Sequence, residues 1–333
     1  MNFQNEQLWS GRKAIITGGL GFIGSNLAIK LVESGAQVTL VDSLVPEYGG
    51  NLFNVADIKE KVSVNISDVR DKFSLRHLVK DQDYLFNLAG QTSHMDSMSD
   101  PQSDLEINCK AQLSILEVCR EVNSKIRIVF ASTRQIYGKP DYLPVDEEHP
   151  VRPVDVNGIN KMAGEWYHIL YNNVYNLGAC ALRLTNTYGP RMRIKDARQT
   201  FLGIWIKKIL NGEPFEVWEG SQLRDFTYVD DCVDAILLAA QSDAAKGKIF
   251  NLGGAEAPVS LDQLAQLLVS ANNGLGEFKR LSFPEDRRKI DIGNYYSNAD
   301  LIQRTLGWRA SIQLEEGLKR TLSFYKKNIS HYL

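Results

Sequence analysis

Three glycines near the start of the chain, Gly18, Gly21 and Gly24, stand between an apolar run and a segment with helical spacing. Residues without side chains let the backbone approach a pyrophosphate, and the N-terminus of the following helix offers free N–H groups and partial positive charge. Asp42 ends the next apolar run, 18 residues after Gly24, where its carboxylate can bind ribose hydroxyls and repel a 2′-phosphate. Spaced glycines alone would also fit an ordinary strand–turn–helix. The order of strand, helix, strand and acid predicts a dinucleotide site that takes NAD rather than NADP.

The first half of the chain alternates apolar runs with segments of helical periodicity. The expected buried strands after the glycine turn are Val62–Ile66, Tyr84–Leu88 and Ile126–Ala131, and the expected helices between them are Leu27–Val32, Leu75–Val79 and Ala111–Val118. Further along, a helix is expected at Asn157–Tyr171 and a strand at Ala179–Leu184. This alternation predicts an α/β protein with a doubly wound parallel (Rossmann) sheet that carries helices on both faces.

The pattern changes after Gly189-Pro190, where a helix at Phe201–Leu210 and a short strand at Phe215–Trp218 are expected. Val229–Gly253 still has the sheet-and-helix pattern of the first half. We therefore predict two lobes with an interleaved boundary. Residues 1–185 and 226–253 would form the NAD-binding Rossmann domain, and residues 186–225 and 254–333 a smaller, mixed α/β substrate lobe.

Composition narrows the range of partners. The chain has 333 residues, a formal net charge of −2 and a pI near 6.3, which gives no reason to expect nucleic acid or an anionic membrane as a partner. Residues 1–11 lack the apolar core of a secretion signal, and no apolar run is long enough to span a bilayer. The four cysteines, Cys109, Cys119, Cys180 and Cys232, are scattered through apolar stretches. We therefore expect buried thiols and neither a metal site nor a redox dithiol. Free thiols of this kind are typical of a cytoplasmic protein, which is the expected localisation.

Several further motifs occur along the chain. They are Asp68-Val69-Arg70-Asp71, Asn87-Leu88-Ala89-Gly90, Ser132-Thr133 before Tyr137-Gly138, Lys161-Met162-Ala163-Gly164-Glu165, Arg183 to Pro190, Arg224-Asp225-Phe226 before Asp230, and Leu306-Gly307-Trp308. With the glycine turn, they make nearly the whole chain resemble the extended short-chain dehydrogenase/reductases of the NAD-dependent sugar-nucleotide epimerase/dehydratase family. Within that family, the stretch Leu88-Ala89-Gly90-Gln91 and the pair Arg224-Asp225 most resemble CDP-tyvelose 2-epimerases and UDP-glucose 4-epimerases.

The resemblance implies a cofactor site and gives roles to its residues. The residues expected to contact NAD are Gly18, Gly21, Phe22, Ile23, Gly24, Asp42, Asp68, Val69, Leu88, Ala89, Gly90 and Lys161. Asp68 and Val69 would flank the adenine, and Lys161 would hold the nicotinamide ribose. Thr133 matches the residue that hydrogen-bonds the reacting sugar hydroxyl. Asn108 either holds the loop near the nicotinamide or caps its own helix.

The sequence departs from the family four positions before Lys161. The family has a tyrosine there, which takes the proton of the sugar hydroxyl, whereas this chain has Asn157. An amide can hold a hydroxyl by hydrogen bonds but cannot accept and return a proton near neutral pH. The candidates for the base are His94, whose imidazole titrates in the right range, Lys161 if its pKa is lowered, and Tyr137. His94 could instead only shape the pocket.

A second departure concerns the two residues after Thr133. The 4,6-dehydratases of the family carry an Asp-Glu pair there, whereas this chain has Arg134 and Gln135, so elimination of water by that route is disfavoured. Guanidinium groups suit phosphate oxygens. By the same resemblance, the residues expected to bind the substrate are Asn186, Arg224, Arg287 and Arg288.

Together these features predict an NAD-dependent epimerase that acts on a nucleoside-diphosphate sugar through a transient keto-sugar at C4. The expected catalytic residues are Thr133, Asn157, Lys161 and His94. One alternative is a net NAD-dependent dehydrogenase of sugar nucleotides. Another is a catalytically weak protein that only binds NAD and a nucleotide sugar, as the missing tyrosine would allow.

A homodimer is expected from the same resemblance, because Asp104–Val122 and Asn157–Tyr171 match the helix pair through which relatives dimerise. The apolar residues Leu113, Leu116, Trp166 and Ile169 on these helices would lie either at that interface or in the core of the chain.

Overall fold

A seven-stranded parallel sheet forms the centre of the fold. The structure is a computed structural model that describes residues 8–198 and 200–333, without the side chains of Pro46, Asp286 and Arg287. In spatial order its strands are β11 (Ile249–Asn251), β6 (Ala179–Leu184), β5 (Arg127–Thr133), β4 (Tyr84–Asn87), β1 (Lys13–Thr17), β2 (Gln37–Asp42) and β3 (Val62–Ile66). Every neighbouring pair is parallel. The doubly wound sheet predicted from the sequence is thereby confirmed.

Helices follow most strands and continue through the second half of the chain. They are α1 (Phe22–Glu33), α2 (Lys72–Leu78), α3 (His94–Ser99), α4 (Pro101–Leu105), α5 (Ala111–Val122), α6 (Val156–Tyr175), α7 (Phe201–Leu210), α8 (Val229–Gln241), α9 (Leu261–Ala271), α10 (Glu285–Arg288), α11 (Asp300–Leu306) and α12 (Leu314–Asn328). A π-helical turn, Glu106–Lys110, joins α4 to α5, and 3-10 turns occur at Pro46–Tyr48, Leu52–Lys61, Arg134–Tyr137, Asp243–Ala245 and Ile329–His331. Of the helices described, none is both long and apolar enough to cross a membrane.

The sheet is covered on both faces because successive residues of a strand point to opposite sides. In β1, Ile16 belongs to a core formed with α1 and α8, whereas Ile15 belongs to a second core formed with α2 and α5. Both side chains are fully buried. Strands buried on both faces have continuous apolar sequences, which explains why the central strands could be recognised from sequence.

The strand Val62–Ile66 was expected to be buried, and that expectation is wrong. The strand exists as β3, but it lies at the edge of the sheet, next to β2 alone. Val64 is 39% exposed and Ile66 is 54% exposed. An edge strand has a neighbour on one side only, so its apolar side chains receive less cover. Among the cysteines, Cys119, Cys180 and Cys232 are buried, Cys109 is only half-buried, and all four are unpaired.

Three small strand pairs lie outside the large sheet. They are β7 (Asn186–Tyr188) with β10 (Phe226–Tyr228), β8 (Phe215–Trp218) with β13 (Phe278–Leu281), and β9 (Leu223–Arg224) with β12 (Val259–Ser260). Strand β11 returns from the second half of the chain to the large sheet, where it pairs with β6. The division into residues 1–185 with 226–253 and residues 186–225 with 254–333 stays a proposal. The return of β11 to the large sheet is in line with it, whereas the pairing of β10 with β7 joins residues that it separates.

The segment around residues 329–332 packs against the loop that follows the glycine turn. The Asn51 side chain donates to the backbone oxygen of His331 at 2.8 Å, and the hydroxyl of Tyr332 donates to Oδ1 of Asn54 at 2.6 Å. Asn54 in turn donates through Nδ2 to the backbone oxygen of Leu20 at 2.8 Å. Residues that are distant in sequence thereby support the first loop of the sheet.

Candidate active site

One cleft of about 700 Å³ lies at the carboxyl ends of the parallel strands, which is where ligands bind in open α/β sheets. It brings together every residue that the sequence assigned to the cofactor. The other predicted site residues that line it are His94, Thr133, Asn157, Asn186 and Arg224. The cleft therefore joins the cofactor residues, the reaction residues and part of the substrate set in one continuous space.

The glycine turn connects β1 to α1 with very little room for side chains. Gly18 has a φ of +69°, and a Cβ on Gly24 would lie 2.2 Å from the Gly18 carbonyl oxygen. Gly21 caps α1 without a side-chain hydrogen bond, so the first N–H groups of the helix are not covered by a capping side chain. This turn fits a pyrophosphate at a helix N-terminus.

Asp42 lies at the end of β2 and is held in place by the backbone. Its Oδ2 accepts from the N–H of Leu20 at 3.0 Å, and its Oδ1 accepts from the N–H of Leu44 at 2.9 Å. Burial raises the pKa of Asp42, although these two hydrogen bonds oppose that rise. Nearby, a hydrogen bond from Arg70 lowers the pKa of Asp68, whose Oδ2 is 2.7 Å from Nη2 of Arg70.

Lys161, on α6, lines the cleft next to Gly90. Its Nζ donates to the backbone oxygen of Ala131 at 3.0 Å, and a Cβ on Gly90 would come within 2.9 Å of that nitrogen. Burial lowers the pKa of Lys161 to about 8, while the charge of Asp104 acts in the opposite direction. Asn108 donates through Nδ2 to the backbone oxygen of Gln91 at 2.9 Å. Of its two proposed roles, Asn108 therefore holds this loop rather than capping its helix.

Asn157 occupies the family's tyrosine position, and its amide nitrogen is engaged within the protein. Nδ2 donates to the backbone oxygen of Gln91 at 2.8 Å and to Oδ2 of Asp104 at 3.0 Å, and it lies 3.2 Å from the side-chain oxygen of Gln91. Asn160 donates to the other oxygen of Asp104 at 2.8 Å. Within the described chain nothing donates to Oδ1 of Asn157, so only that oxygen can accept a hydrogen bond from a substrate hydroxyl.

Thr133 ends β5 and, like Asn157, lines the cleft. Its hydroxyl oxygen accepts from the N–H of Gln135 at 3.2 Å, which leaves the hydroxyl hydrogen for another acceptor. Gln135 also lines the cleft and donates through Nε2 to Oδ2 of Asp155 at 2.9 Å. Tyr137 is fully buried, with its hydroxyl between Arg183 and Asn251. It is not among the cleft-lining residues, so it is removed from the candidate bases.

The substrate end of the cleft contains two neighbouring arginines. Burial and the charge of Arg134 together lower the pKa of Arg224 to about 10, against the opposing charges of Asp291 and Asp225. Arg224 donates to the backbone oxygens of Leu223 and Gly293, while Nη2 of Arg134 donates to Oδ1 of Asn186 at 3.0 Å. Two guanidinium groups in the lining of one cleft favour an anionic ligand.

Of the other two predicted arginines, only Arg288 has a described side chain. Arg288 is absent from the lining of the cleft, and its Nη2 lies 3.2 Å from Oε1 of Glu219. The side chain of Arg287 lies outside the described part of the structure. In residues 8–198 and 200–333, no group of three or more His, Cys, Asp and Glu side chains could hold a metal ion.

Sequence reasoning missed Asp155 and Asp104, both of which support the site. Asp155 caps α6 and accepts from the N–H of Gly158 at 2.7 Å, and Nδ1 of His94 lies 2.9 Å from its Oδ2. An acidic residue just before a predicted helix is a capping signal and could have pointed to Asp155. Nothing local in the sequence indicates that Asp104 meets Asn157, because the two are 53 positions apart.

The parallel sheet, the glycine turn and the acid after β2 define an NAD-binding protein of the extended short-chain dehydrogenase/reductase class. A sequence profile of the NAD dependent epimerase/dehydratase family matches residues 14–253. The chain belongs to this family, as the sequence resemblance had predicted, and its cofactor is NAD.

Individual relatives agree over nearly their whole length. A putative UDP-glucose 4-epimerase from Methanocaldococcus jannaschii is 34% identical over 317 residues, which cover 94% of this chain and 98% of that protein. The structure of a UDP-glucose 4-epimerase from Thermotoga maritima with UDP-glucose is 28% identical, with a TM-score of 0.86 over 95% of this chain and 99% of that one. The structure of a UDP-glucose 4-epimerase from Thermus thermophilus in complex with NAD is also 28% identical, with a TM-score of 0.82 over 94% of this chain and 98% of that one.

Proposed function

We propose that this protein is an NAD-dependent epimerase of a nucleoside-diphosphate sugar that acts at C4 through a transient keto-sugar. The observation that carries the proposal is the continuity of the cleft. Cofactor residues from Gly18 to Gly90, the reaction residues Thr133 and Lys161, and the substrate residues Asn186 and Arg224 all line one space. Relatives named UDP-glucose 4-epimerase support the same reaction.

Each reaction residue would have a defined task. NAD, when bound, supplies the acceptor and donor of a hydride. Lys161 would hold the ribose next to the nicotinamide, where its buried ammonium group is anchored to Ala131. Thr133 would donate its free hydroxyl hydrogen to the sugar oxygen, and Oδ1 of Asn157 would accept from a sugar hydroxyl. Arg224 and Asn186 would orient the diphosphate, so that the sugar lies between the two ends of the cleft.

The residues after Thr133 favour epimerisation over elimination of water. Dehydration by the route of the family's 4,6-dehydratases uses an acidic pair at this position. Here Arg134 donates to Asn186, and Gln135 donates to Asp155. Neither side chain can serve as an acid or base near neutral pH, so protons at C5 and C6 would have no carrier at this position.

A panel of nucleotide sugars tests the proposal. The purified protein would be incubated with UDP-, CDP-, GDP- and dTDP-linked hexoses and their uronic acids, with and without added NAD, and the products analysed by NMR. The expected result is a C4 epimer with no net change in the NAD redox state. A keto-sugar that accumulates with reduced cofactor would indicate a net dehydrogenase. Tight binding of a nucleotide sugar without any product would indicate a binding protein.

We also propose a homodimer formed through the exposed apolar side of α6. Ile159, Trp166, Leu170 and Val174 are 49%, 51%, 50% and 60% exposed. Their spacings of seven, four and four residues place them along one side of the helix. A contiguous apolar surface of this kind is typical of a protein–protein contact. Of the other three residues that the sequence suggested for this interface, Leu116 and Ile169 are buried within the chain, and Leu113 is partly buried against its core.

A further inference from the structure

We propose that His94 and Asp155 form the acid–base dyad of this site and replace the tyrosine that the family uses. His94 would exchange the proton of the sugar hydroxyl, and Asp155 would be the positioning residue that orients its ring. This inference rests on the proposed function, since it names the proton carrier of that same reaction.

The two side chains meet at the wall of the cleft. Nδ1 of His94 lies 2.9 Å from Oδ2 of Asp155. That nitrogen is shielded from solvent and makes no aligned hydrogen bond within the described residues, so its contact with Asp155 is an ion-pair distance rather than a formed hydrogen bond. The His94 side chain as a whole is 39% exposed. The exposed edge of the ring is therefore the one that carries Nε2. Because His94, Thr133 and Asn157 line the same cleft, Nε2 is the ring nitrogen available to a ligand.

Asp155 is fixed rigidly enough to orient the imidazole. Its side chain is fully buried; Oδ1 accepts from the N–H of Gly158 at 2.7 Å, and Oδ2 accepts from Nε2 of Gln135 at 2.9 Å. Burial alone would raise the pKa of this carboxyl, but His94 and the two hydrogen bonds bring it below its usual range. Asp155 is consequently ionised at neutral pH and favours a proton on Nδ1, which leaves the lone pair on Nε2.

The proton balance of the reaction requires such a group. When the sugar carbinol is oxidised, its C–H bond releases a hydride to NAD and its O–H bond releases a proton, which Nε2 of His94 accepts as the C=O bond forms. When the hydride returns to the opposite face, the proton returns from Nε2 to the sugar oxygen. The imidazolium formed in between is stabilised by the adjacent carboxylate, as in other base–orienter pairs.

The remaining groups at the reaction centre are already committed or cannot titrate usefully. Asn157 has no acidic proton to exchange, and Tyr137 is buried outside the cleft. Lys161 donates to the backbone oxygen of Ala131 and is needed at the cofactor. Asp96 on α3, two residues after His94, pairs with Arg198 at 3.1 Å, and Lys161 on α6 lines the same cleft.

The test compares His94→Gln, Asp155→Asn and Asn157→Tyr with the wild-type holoenzyme on the best sugar of the panel. Loss of a general base costs about 100-fold to 10,000-fold, so His94→Gln should lower kcat by about 100-fold or more without a comparable rise in KM. Asp155→Asn keeps a capping residue but removes the charge, and it should move the acidic limb of the pH profile of kcat/KM to lower pH. The kcat of the double variant His94→Gln/Asn157→Tyr should be at least about tenfold higher than the kcat of His94→Gln, because the double variant has a phenol at the position where the family has its tyrosine.

Matched controls separate a proton role from a structural one. His77→Gln changes an exposed histidine on α2, and Asp71→Asn removes the charge of the residue that caps that helix; neither should change kcat. If His94→Gln retains kcat within twofold of wild type, or if Asp155→Asn leaves the pH profile unchanged, the dyad hypothesis is wrong. The proposed epimerase activity would not be affected by that result.

A second measurement does not depend on turnover. Nitrogen-15 NMR of the histidine rings in the wild-type holoenzyme should show a proton on Nδ1 of His94 and none on Nε2 at neutral pH, with this preference reduced in Asp155→Asn. A proton on Nε2 instead would overturn the dyad. The wild-type protein could show the expected tautomer and yet convert no sugar of the panel. That result would contradict the proposed function, whereas the pairing of His94 with Asp155 would still hold.

Discussion

At the scale of single residues, Asn157 has a structural task that its place in the cleft does not reveal. Its amide nitrogen and that of Asn160 donate to the two oxygens of Asp104, a carboxylate with no exposed surface. A buried carboxylate is costly unless hydrogen bonds satisfy it. The asparagine at the tyrosine position therefore belongs both to the wall of the active site and to the support beneath it.

Replacing each asparagine by alanine should separate these two tasks. Asn157→Ala and Asn160→Ala each remove one donor from Asp104, and each should lower the free energy of unfolding by about 1–3 kcal/mol, measured by urea denaturation. Only Asn157 lines the cleft, so only Asn157→Ala should also raise KM for the nucleotide sugar. An equal rise in KM for Asn160→Ala would contradict this division.

Lys161 should make stability depend on pH in an unusual direction. Its pKa falls from the ordinary 10.5 to about 8 on folding because it is buried. Between these values the unfolded chain binds more protons than the folded one, so stability rises with pH across that window. Lys161→Met removes the buried charge and should be more stable than wild type at pH 7, by up to about 3 kcal/mol.

Denaturation at pH 7 and pH 9.5 provides the measurement for Lys161→Met. The advantage of the variant should shrink at the higher pH, because wild-type Lys161 is then largely neutral in the folded state. An advantage that is constant with pH would show that packing rather than charge accounts for it. Lys13→Met, at an exposed position in β1, is the control and should show no such trend.

At the scale of elements, a buried ion pair fixes α6 to β6 below the active site. Arg183 on β6 donates to both oxygens of Glu165 on α6, at 3.0 and 2.7 Å, and its Nη1 donates to the hydroxyl of Tyr137 at 2.6 Å. The exposed fractions of the Arg183 and Glu165 side chains are 3% and 0%. Since α6 also carries Asn157 and Lys161, this pair determines where both residues stand relative to the sheet.

Breaking this pair should destabilise the fold far more than breaking an exposed one. Glu165→Ala leaves Arg183 buried without its carboxylate, which typically costs about 3–5 kcal/mol. Glu316→Ala removes the partner of Arg320 on α12, where both side chains are about half exposed, and should cost less than about 1 kcal/mol. Equal shifts of the two denaturation midpoints would contradict the importance assigned to the buried pair.

The same elements show how far the sequence could be interpreted. Apolar runs located the central strands because both faces of the sheet are covered, and glycine spacing with Asp42 located the cofactor turn. Periodicity could not show that β3 is an exposed edge, since order within a sheet depends on pairing between distant segments. The contact between His94 and Asp155 was equally hidden, because it forms only when the loop after β4 meets the start of α6.

At the scale of the whole molecule, the exposed side of α6 defines the expected association. Leu170→Glu places a charge in the centre of the apolar row formed by Ile159, Trp166 and Val174. It should convert a dimer into a monomer in sedimentation velocity experiments at micromolar concentration. Leu275→Glu, at a position that is 67% exposed and distant in sequence, should leave the association unchanged. A wild-type protein that sediments as a single subunit would contradict the homodimer.

The contact between residues 51–54 and residues 331–332 has a consequence for biosynthesis. The residues in this contact are separated by 280 and 278 positions. A nascent chain that already contains every strand of the large sheet therefore still lacks the contact that supports residues 51–54. Domains emerging from the ribosome tend to fold from the N-terminal side. Coenzyme affinity should therefore mature late in translation, when the polypeptide near position 332 leaves the exit tunnel.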